Sequence, residues 1–300
     1  MAFKRILVPL DGSEAAEAAI AHAANLARTF SARMILLRVL DSTHQSYRAD
    51  SIDWRMQKVE ANRYLHGLAA DEALAGLSTV VELDEGRPAE CIIQFAERSG
   101  VDLIAMSAYG ASGPTGFPFG GTAHKILSGA KCSVAIVRQP EGKGTNNTSY
   151  QRVLVPVDGG HQAEMALQVA VAMGASNEKL EIVVLHLVAA PLMPRREPLS
   201  VEEQALRDQV IATNTRAAEQ HLHEIRQQFQ SCSRIACRLE VTSDPVRTIA
   251  RYAKAEKADL LIMSSPDEGE TQGLNRESLC QAIQAVTELP LVVLQANGRK

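Results

Sequence analysis

"RILVPLDG" at residues 5–12 returns as "RVLVPVDG" at residues 152–159. A second pair follows in each half: "VDLIAMS" at residues 101–107 and "ADLLIMS" at residues 258–264. Self-similarity of this kind over more than a hundred residues marks a domain written twice. The second pair lies ten residues further apart than the first, so the second copy carries an insertion. The Pro-rich stretch "AAPLMPRREPLS" at residues 189–200 is its expected place. "QPEGKGTNNTS" at residues 139–149 is polar and rich in Gly and Asn, the composition of an exposed linker. The expected division is therefore a first domain over 1–138, a linker over 139–149 and a second domain over 150–300.

Within each copy, short β-branched runs alternate with helical patterns. In the first copy the pattern predicts strands over 5–8, 34–39, 79–83, 103–106 and 134–137. Helices are predicted over 14–29, 54–75, 88–98 and 122–128. The runs "ILV", "MILL" and "VAIV" are apolar at consecutive positions, as in parallel strands covered by helices on both faces. The fold class read from this is α/β: two repeated five-stranded parallel sheets, each sandwiched between helices. In such sheets ligands bind beyond the carboxyl ends of the strands, where the winding direction reverses.

The 300-residue chain is 46% apolar with a formal charge of −4, and it has no basic stripe for a nucleic-acid backbone. No apolar run reaches the ~18 to 20 residues that cross a bilayer. Neither nucleic acid nor membrane is an expected partner. The N-terminus enters a strand pattern without a leader-like apolar region. Five cysteines with no C-x-x-C pair suit reduced thiols, and the expected location is the cytoplasm.

Three predicted strand ends carry polar residues. Pro9, Leu10, Asp11, Gly12 and Ser13 follow the first strand, and Val39, Leu40 and Asp41 close the second. After the fourth comes "MSAYGASGPTGFPFGGTAHKIL" at residues 106–127, with Gly110, Gly113, Gly116, Gly120 and Gly121 within twelve positions. Phosphate oxygens need convergent N–H donors, and glycine lets backbone come close enough to supply them. A helix starting near Gly120 or Thr122 adds unpaired N–H groups and a positive dipole end. The alternative is a glycine lid that only covers strand four. Asp11 can accept from ribose hydroxyls, and Asp11-x-x-Glu14 also has the form of a capping box; the two roles are compatible.

The residues Met106-Ser107-x-x-Gly110, nine intervening positions, then Gly120-Gly121-Thr122, together with "VPLDGS" after strand one, resemble the ATP-binding pattern G-x2-G-x9-G-[ST] of universal stress proteins. With the duplication, the chain is similar to tandem members of that family over nearly its whole length. The resemblance implies a Rossmann-like, adenine nucleotide alpha hydrolase-like fold with strand order 3-2-1-4-5. It also implies ATP, with Mg²⁺, as the bound group. Carried over by position, Pro9, Leu10 and Asp11 would meet adenine and ribose, and Val39 would line the base pocket. Met106, Ser107, Gly110, Gly120, Gly121 and Thr122 would hold ribose and phosphates. Ser107 stands where the pattern has its first glycine, and Gly121 where it has Ser or Thr. The hydroxyl contact would then fall to Thr122.

In the second copy the corresponding loop, residues 265–283, keeps only Gly269 and Gly273 and adds Asp267, Glu268 and Glu270. At ~5 to 10 Å each carboxylate would cost a phosphate on the order of 1 kcal/mol, so this copy is expected to be structural. The family resemblance implies an intramolecular pseudo-dimer of the two domains through Val134 to Val137 and Leu291 to Leu294, with a further homodimer possible. His221 and His223 point about 200° apart on a helix and are expected to be solvated. Neither G-x-x-x-x-G-K-[ST] nor G-x-G-x-x-G is present, and no catalytic residue is assigned. The functional expectation is a nucleotide-responsive stress regulator binding one ATP in the first domain, with hydrolysis slow at most. A scaffold or chaperone-like interaction protein with a vestigial site is the alternative.

Overall fold

A computed structural model describes residues 3–42, 52–113, 118–138, 149–191, 199–229, 234–265 and 276–295. The first repeat runs β1 (Arg5–Leu10), α1 (Glu14–Phe30), β2 (Arg33–Leu40), α2 (Ile52–Ala69), β3 (Thr79–Glu85), α3 (Pro88–Arg98), β4 (Leu103–Ser107), α4 (Gly121–Gly129) and β5 (Ser133–Val137). The second runs β6 (Arg152–Val157), α5 (His161–Ser176), β7 (Glu181–Ala189), α6 (Val201–Gln228), β8 (Arg234–Thr242), α7 (Pro245–Ala255), β9 (Leu260–Ser264), α8 (Arg276–Val286) and β10 (Leu291–Leu294). The expected α/β repeat is present, with strands and helices alternating through both halves.

The strands of the first repeat lie in the order β3-β2-β1-β4-β5, all parallel. Ile6 stands beside Met34 on one side and Leu103 on the other. Connections wind one way from β1 to β3 and the other way from β4 to β5, so the reversal lies between β1 and β4. Ile6, Leu7, Val8, Leu36, Leu103 and Ile104 are fully buried, which is why these runs read as continuous apolar stretches. In the second repeat the order β8-β7-β6-β9 reproduces β3-β2-β1-β4.

The chain forms two compact units: Met1–Ser149 with Ser265–Lys300, and Tyr150–Ser264. By sequence β10 belongs to the second repeat, but by contact it lies with the first. It runs antiparallel to β5, with Leu291 beside Ile136, Val292 beside Ala135 and Val293 beside Val134. All four of its residues are buried. Just beyond it, the Gln295 N–H donates to Ser133 Oγ at 3.2 Å.

Local chemistry sets the element ends. Ser13 caps α1 by accepting from the Ala16 N–H, and Ser31 ends it in the left-handed region at φ 52°. Pro88 opens α3 from its first turn, where a missing N–H costs nothing. The aspartate in each "DL" pair closes its sheet. Asp102 accepts from the N–H groups of Lys4 and Arg5 at 2.8 and 2.9 Å, and Asp259 accepts from those of Gln151 and Arg152 at 2.6 and 3.2 Å.

Two expectations change. The second predicted helix stops at Ala69 and is followed by a 3-10 turn, Glu72–Leu74, whose start is fixed by the Asp71 side chain. Most of the extra length of the second repeat enters a helix rather than the Pro-rich loop: α6 has 28 residues and α2 has 18, residues 41–51 and 190–200 before them are equal in number, and the stretch after the helix shortens from 70–78 to 229–233. Ser200 and Glu203 form a reciprocal capping box, and a run of strong helix formers extends the helix from there. Among the described residues, no helix is long and apolar enough to cross a membrane.

Candidate functional site

Three chain segments meet at the carboxyl ends of β1, β2 and β4. After β1, Gly12 takes φ +85°, which an L side chain rarely adopts, and turns the chain into α1. The turn is held by Asp11, whose Oδ1 accepts from the Ser13 N–H at 3.0 Å and from the Ser13 hydroxyl at 2.5 Å. The expected Asp11 capping box is not formed, because Ser13, two residues nearer the helix, takes the cap. Asp11 is thereby free to reach across the reversal point. Its Oδ2 accepts from the Ala111 N–H at 2.7 Å.

The stretch after β4 is looped back on itself. Ser107 Oγ accepts from the Tyr109 N–H at 3.3 Å. Gly110 O accepts from the Gly113 N–H at 2.9 Å, and Gly113 sits at φ +65°. The returning chain is pinned where the Gly120 N–H donates to Ala108 O at 2.8 Å. Phe119 is buried beside that point, while Phe117 and Gly116 lie outside the described residues. Gly120 then caps α4 with no side chain to accept from the first turn. The helix begins with backbone N–H groups aimed outward and its positive end exposed.

Between these segments is a cavity of about 330 Å³, in the range of small-molecule sites. All ten positions expected to bind nucleotide lie on its wall: Pro9, Leu10, Asp11, Val39, Met106, Ser107, Gly110, Gly120, Gly121 and Thr122. Leu37, Ile92 and Tyr109 also line it and were not anticipated, and Pro88 lies on the same wall. The signal for Ile92 was its place four residues after Pro88 on the amphipathic α3. One side of the cavity is apolar and the other is largely backbone. His124 and Lys125, which follow Thr122 on α4, are exposed and do not line it.

The two glycines that start α4 are not demanded by the fold. Gly120 has φ −70° and ψ 161°, open to any residue. A Cβ built there would meet nothing closer than Ala108 O at 3.6 Å, and one at Gly121 would meet nothing within 4 Å. What their missing side chains leave is space at the positive end of a helix, inside the cavity. That arrangement admits an anionic group to several N–H donors at once.

The profile of the universal stress protein family matches residues 2–138 and again residues 149–295. The chain belongs to that family. A universal stress protein of Methanocaldococcus jannaschii is 29% identical over 143 residues, covering 46% of this chain and 84% of the relative. One of Thermus aquaticus is 31% identical over 144 residues, covering 45% and 99%. A crystal structure of a universal stress protein from Archaeoglobus fulgidus covers 100% of this chain and 99% of its own, with a TM-score of 0.65 at 16% identity. It shares the fold of both repeats together.

The second universal stress repeat differs at its strand ends. Asp158 again follows the first strand, with Gly159 at φ +85°, and accepts from the Gly160 N–H at 2.9 Å. Asp267, Glu268, Gly269, Glu270 and Gly273 of the acidic loop, and the side chain of His161, lie outside the described residues. Where Arg38 packs against Gly12 and over the Tyr64 ring, the second repeat places His186 against Gly159 and edge-on to His221, with ring centroids 5.4 Å apart. His221 is thus packed, not solvated as expected, while His223 is exposed and bonded to Gln227. Burial and the neighbouring His221 hold the His186 imidazole below its usual pKa, against an opposing pull from Asp158.

Proposed function

We propose that this universal stress protein binds one ATP per chain in the cavity of its first repeat and serves as a nucleotide-responsive regulator in the cytoplasm. The observation that carries this reading is the space at Gly120 and Gly121, which neither backbone conformation nor packing explains. Adenine would lie against Leu37, Val39 and Ile92, ribose near Asp11, and the phosphates on the N–H groups from Gly120 to Thr122. The departures at Ser107 and Gly121 fit: Ser107 already uses its hydroxyl within the loop, and Thr122 offers a hydroxyl on the cavity wall.

Among the described residues no three His, Cys, Asp or Glu side chains converge. Mg²⁺ keeps much of its water and is carried by phosphate oxygens with few protein ligands. It would enter with the triphosphate, with Thr122 as the adjacent protein oxygen. The free thiols of Cys91 and Cys237 support the cytoplasmic assignment. In this reading the second repeat is structural, and the β5–β10 ladder is the seam of a pseudo-dimer of the two repeats.

Calorimetric titration with ATP, repeated with AMP and with a chelator, tests this. One ATP per chain is expected. Two per chain, or none in a well-folded protein, would overturn the reading and favour an interaction scaffold.

A further inference from the structure

Arg138 is the first residue after β5, beside the glycine loop but not on the cavity wall. One of its terminal nitrogens, Nη2, donates to Tyr109 Oη at 3.2 Å and to Pro118 O at 3.0 Å. Tyr109 lies where the loop leaves β4, and Pro118 where it returns to α4. The guanidinium carbon also stands 5.6 Å from the centre of the Tyr109 ring. The neck is closed a second time by backbone: Ala108 N–H donates to Val137 O, and Gly120 N–H to Ala108 O, each at 2.8 Å. Arg138 Nε is buried and has no hydrogen-bond partner among the described residues. A buried donor left unpaired is costly, and here the cost accompanies the group that spans both ends of the loop.

Resting on the nucleotide reading above, we infer that Arg138 is a positioning residue for the phosphate end of the site. Its two bonds tie the Tyr109 side chain to the Pro118 carbonyl and, with the Gly120–Ala108 backbone bond, brace the separation of the Ser107–Gly110 segment from the start of α4. Those two segments hold different parts of one ligand. A change in their separation therefore affects a ligand that reaches α4 more than one that ends near β1. Arg138 confers selectivity for the triphosphate over the monophosphate. The guanidinium makes both bonds through one nitrogen while its plane stands by the Tyr109 ring, whereas an ammonium supplies charge without that plane.

The test is calorimetric titration of the full chain with ATP and with AMP, for wild type, Arg138→Gln, Arg138→Lys and Tyr109→Phe, beside a thermal melt of each. Wild type is expected to prefer ATP. Arg138→Gln should weaken ATP roughly tenfold and leave AMP within about twofold. Arg138→Lys should recover less than half of that loss on a logarithmic scale, and Tyr109→Phe, which removes one oxygen and keeps the ring, should show a smaller loss with the same ATP bias. Full recovery by lysine would mean that charge alone acts and would overturn the positioning role. Parallel loss of ATP and AMP in the variants would reduce Arg138 to a stabilising residue. A wild type that binds ATP, with all three variants equal to it, sinks this inference alone; a wild type that binds neither nucleotide sinks the nucleotide reading and this inference with it.

Discussion

The Asp11 carboxylate occupies the space that a side chain at position 110 would need. A Cβ built on Gly110 would stand 2.2 Å from Asp11 Oδ2, closer than any real contact. The same oxygen accepts from the Ala111 N–H at 2.7 Å. A residue at the end of the first strand is thus fastened to the loop after the fourth, one hundred positions later. Gly110 is needed for that fastening, whereas Gly120 and Gly121 leave room for something else.

Gly110→Ala is therefore expected to release the loop from Asp11. Overpacking at such a contact typically costs about 1 to 3 kcal/mol, so urea denaturation should show a loss in that range. ATP affinity should fall with it, because Ala111 and its neighbours move off the cavity wall. A variant with the stability and affinity of the wild type would show that Asp11 does not set the loop.

Gly121→Ala separates fold from ligand. Residue 121 is the first of α4, and no atom lies within 4 Å of a Cβ built there. Alanine replaces glycine in helices with a gain of up to about 1 kcal/mol, less at a first turn, so the melting temperature should hold or rise. ATP affinity should drop at least roughly tenfold, since the methyl group takes phosphate space. The single tryptophan, Trp54, packs on Leu40, the residue after Val39 of the cavity wall, so its fluorescence offers a second binding readout. Unchanged affinity would remove the main support for the phosphate cradle.

Val293→Asp tests where β10 belongs. Val293 is fully buried and pairs with Val134 in the antiparallel ladder. An unpaired carboxylate there should cost roughly 3 kcal/mol or more. Hydrogen exchange should speed up at residues 133–137 before it does so at residues 153–157. Equal loss of protection in both segments would contradict the placement of β10 with the first unit.

Periodicity and repetition exposed much of the fold, because the buried parallel strands leave continuous apolar runs and the Asp102 and Asp259 ties repeat with them. The loop ends of the site were equally visible, since Gly110, Gly113, Gly120 and Gly121 depart sharply from average composition. Less visible was the use to which each was put. Spacing could not tell that Ser13 would cap α1 and leave Asp11 to reach Ala111, as both residues suit a helix start. Nor could it place the inserted length, because a capping box at Ser200 turns residues beyond a Pro-rich stretch into helix. The side chains of Arg138 and Tyr109 meet across 29 positions, and the His186–His221 pair forms only when α6 packs on β7. Neither has a local pattern to announce it.

His22 on α1 gives a pH dependence with a definite sign. Burial lowers its pKa from 6.5 to about 4, so the folded chain keeps the imidazole neutral where the unfolded chain would take up a proton. Between those values the unfolded state binds more protons, and stability rises with pH. The contribution is complete above about pH 6.5 and is lost progressively as pH falls toward 4, by on the order of 3 kcal/mol at 1.36 kcal/mol per unit. His186, also lowered by burial, acts in the same direction. Urea denaturation of wild type and His22→Gln at several pH values between about 4.5 and 7.5 measures the difference. The variant should lose less stability on acidification, by roughly 1 to 3 kcal/mol over this range. Parallel curves for the two proteins would show that His22 is no harder to protonate in the folded chain than in the unfolded one.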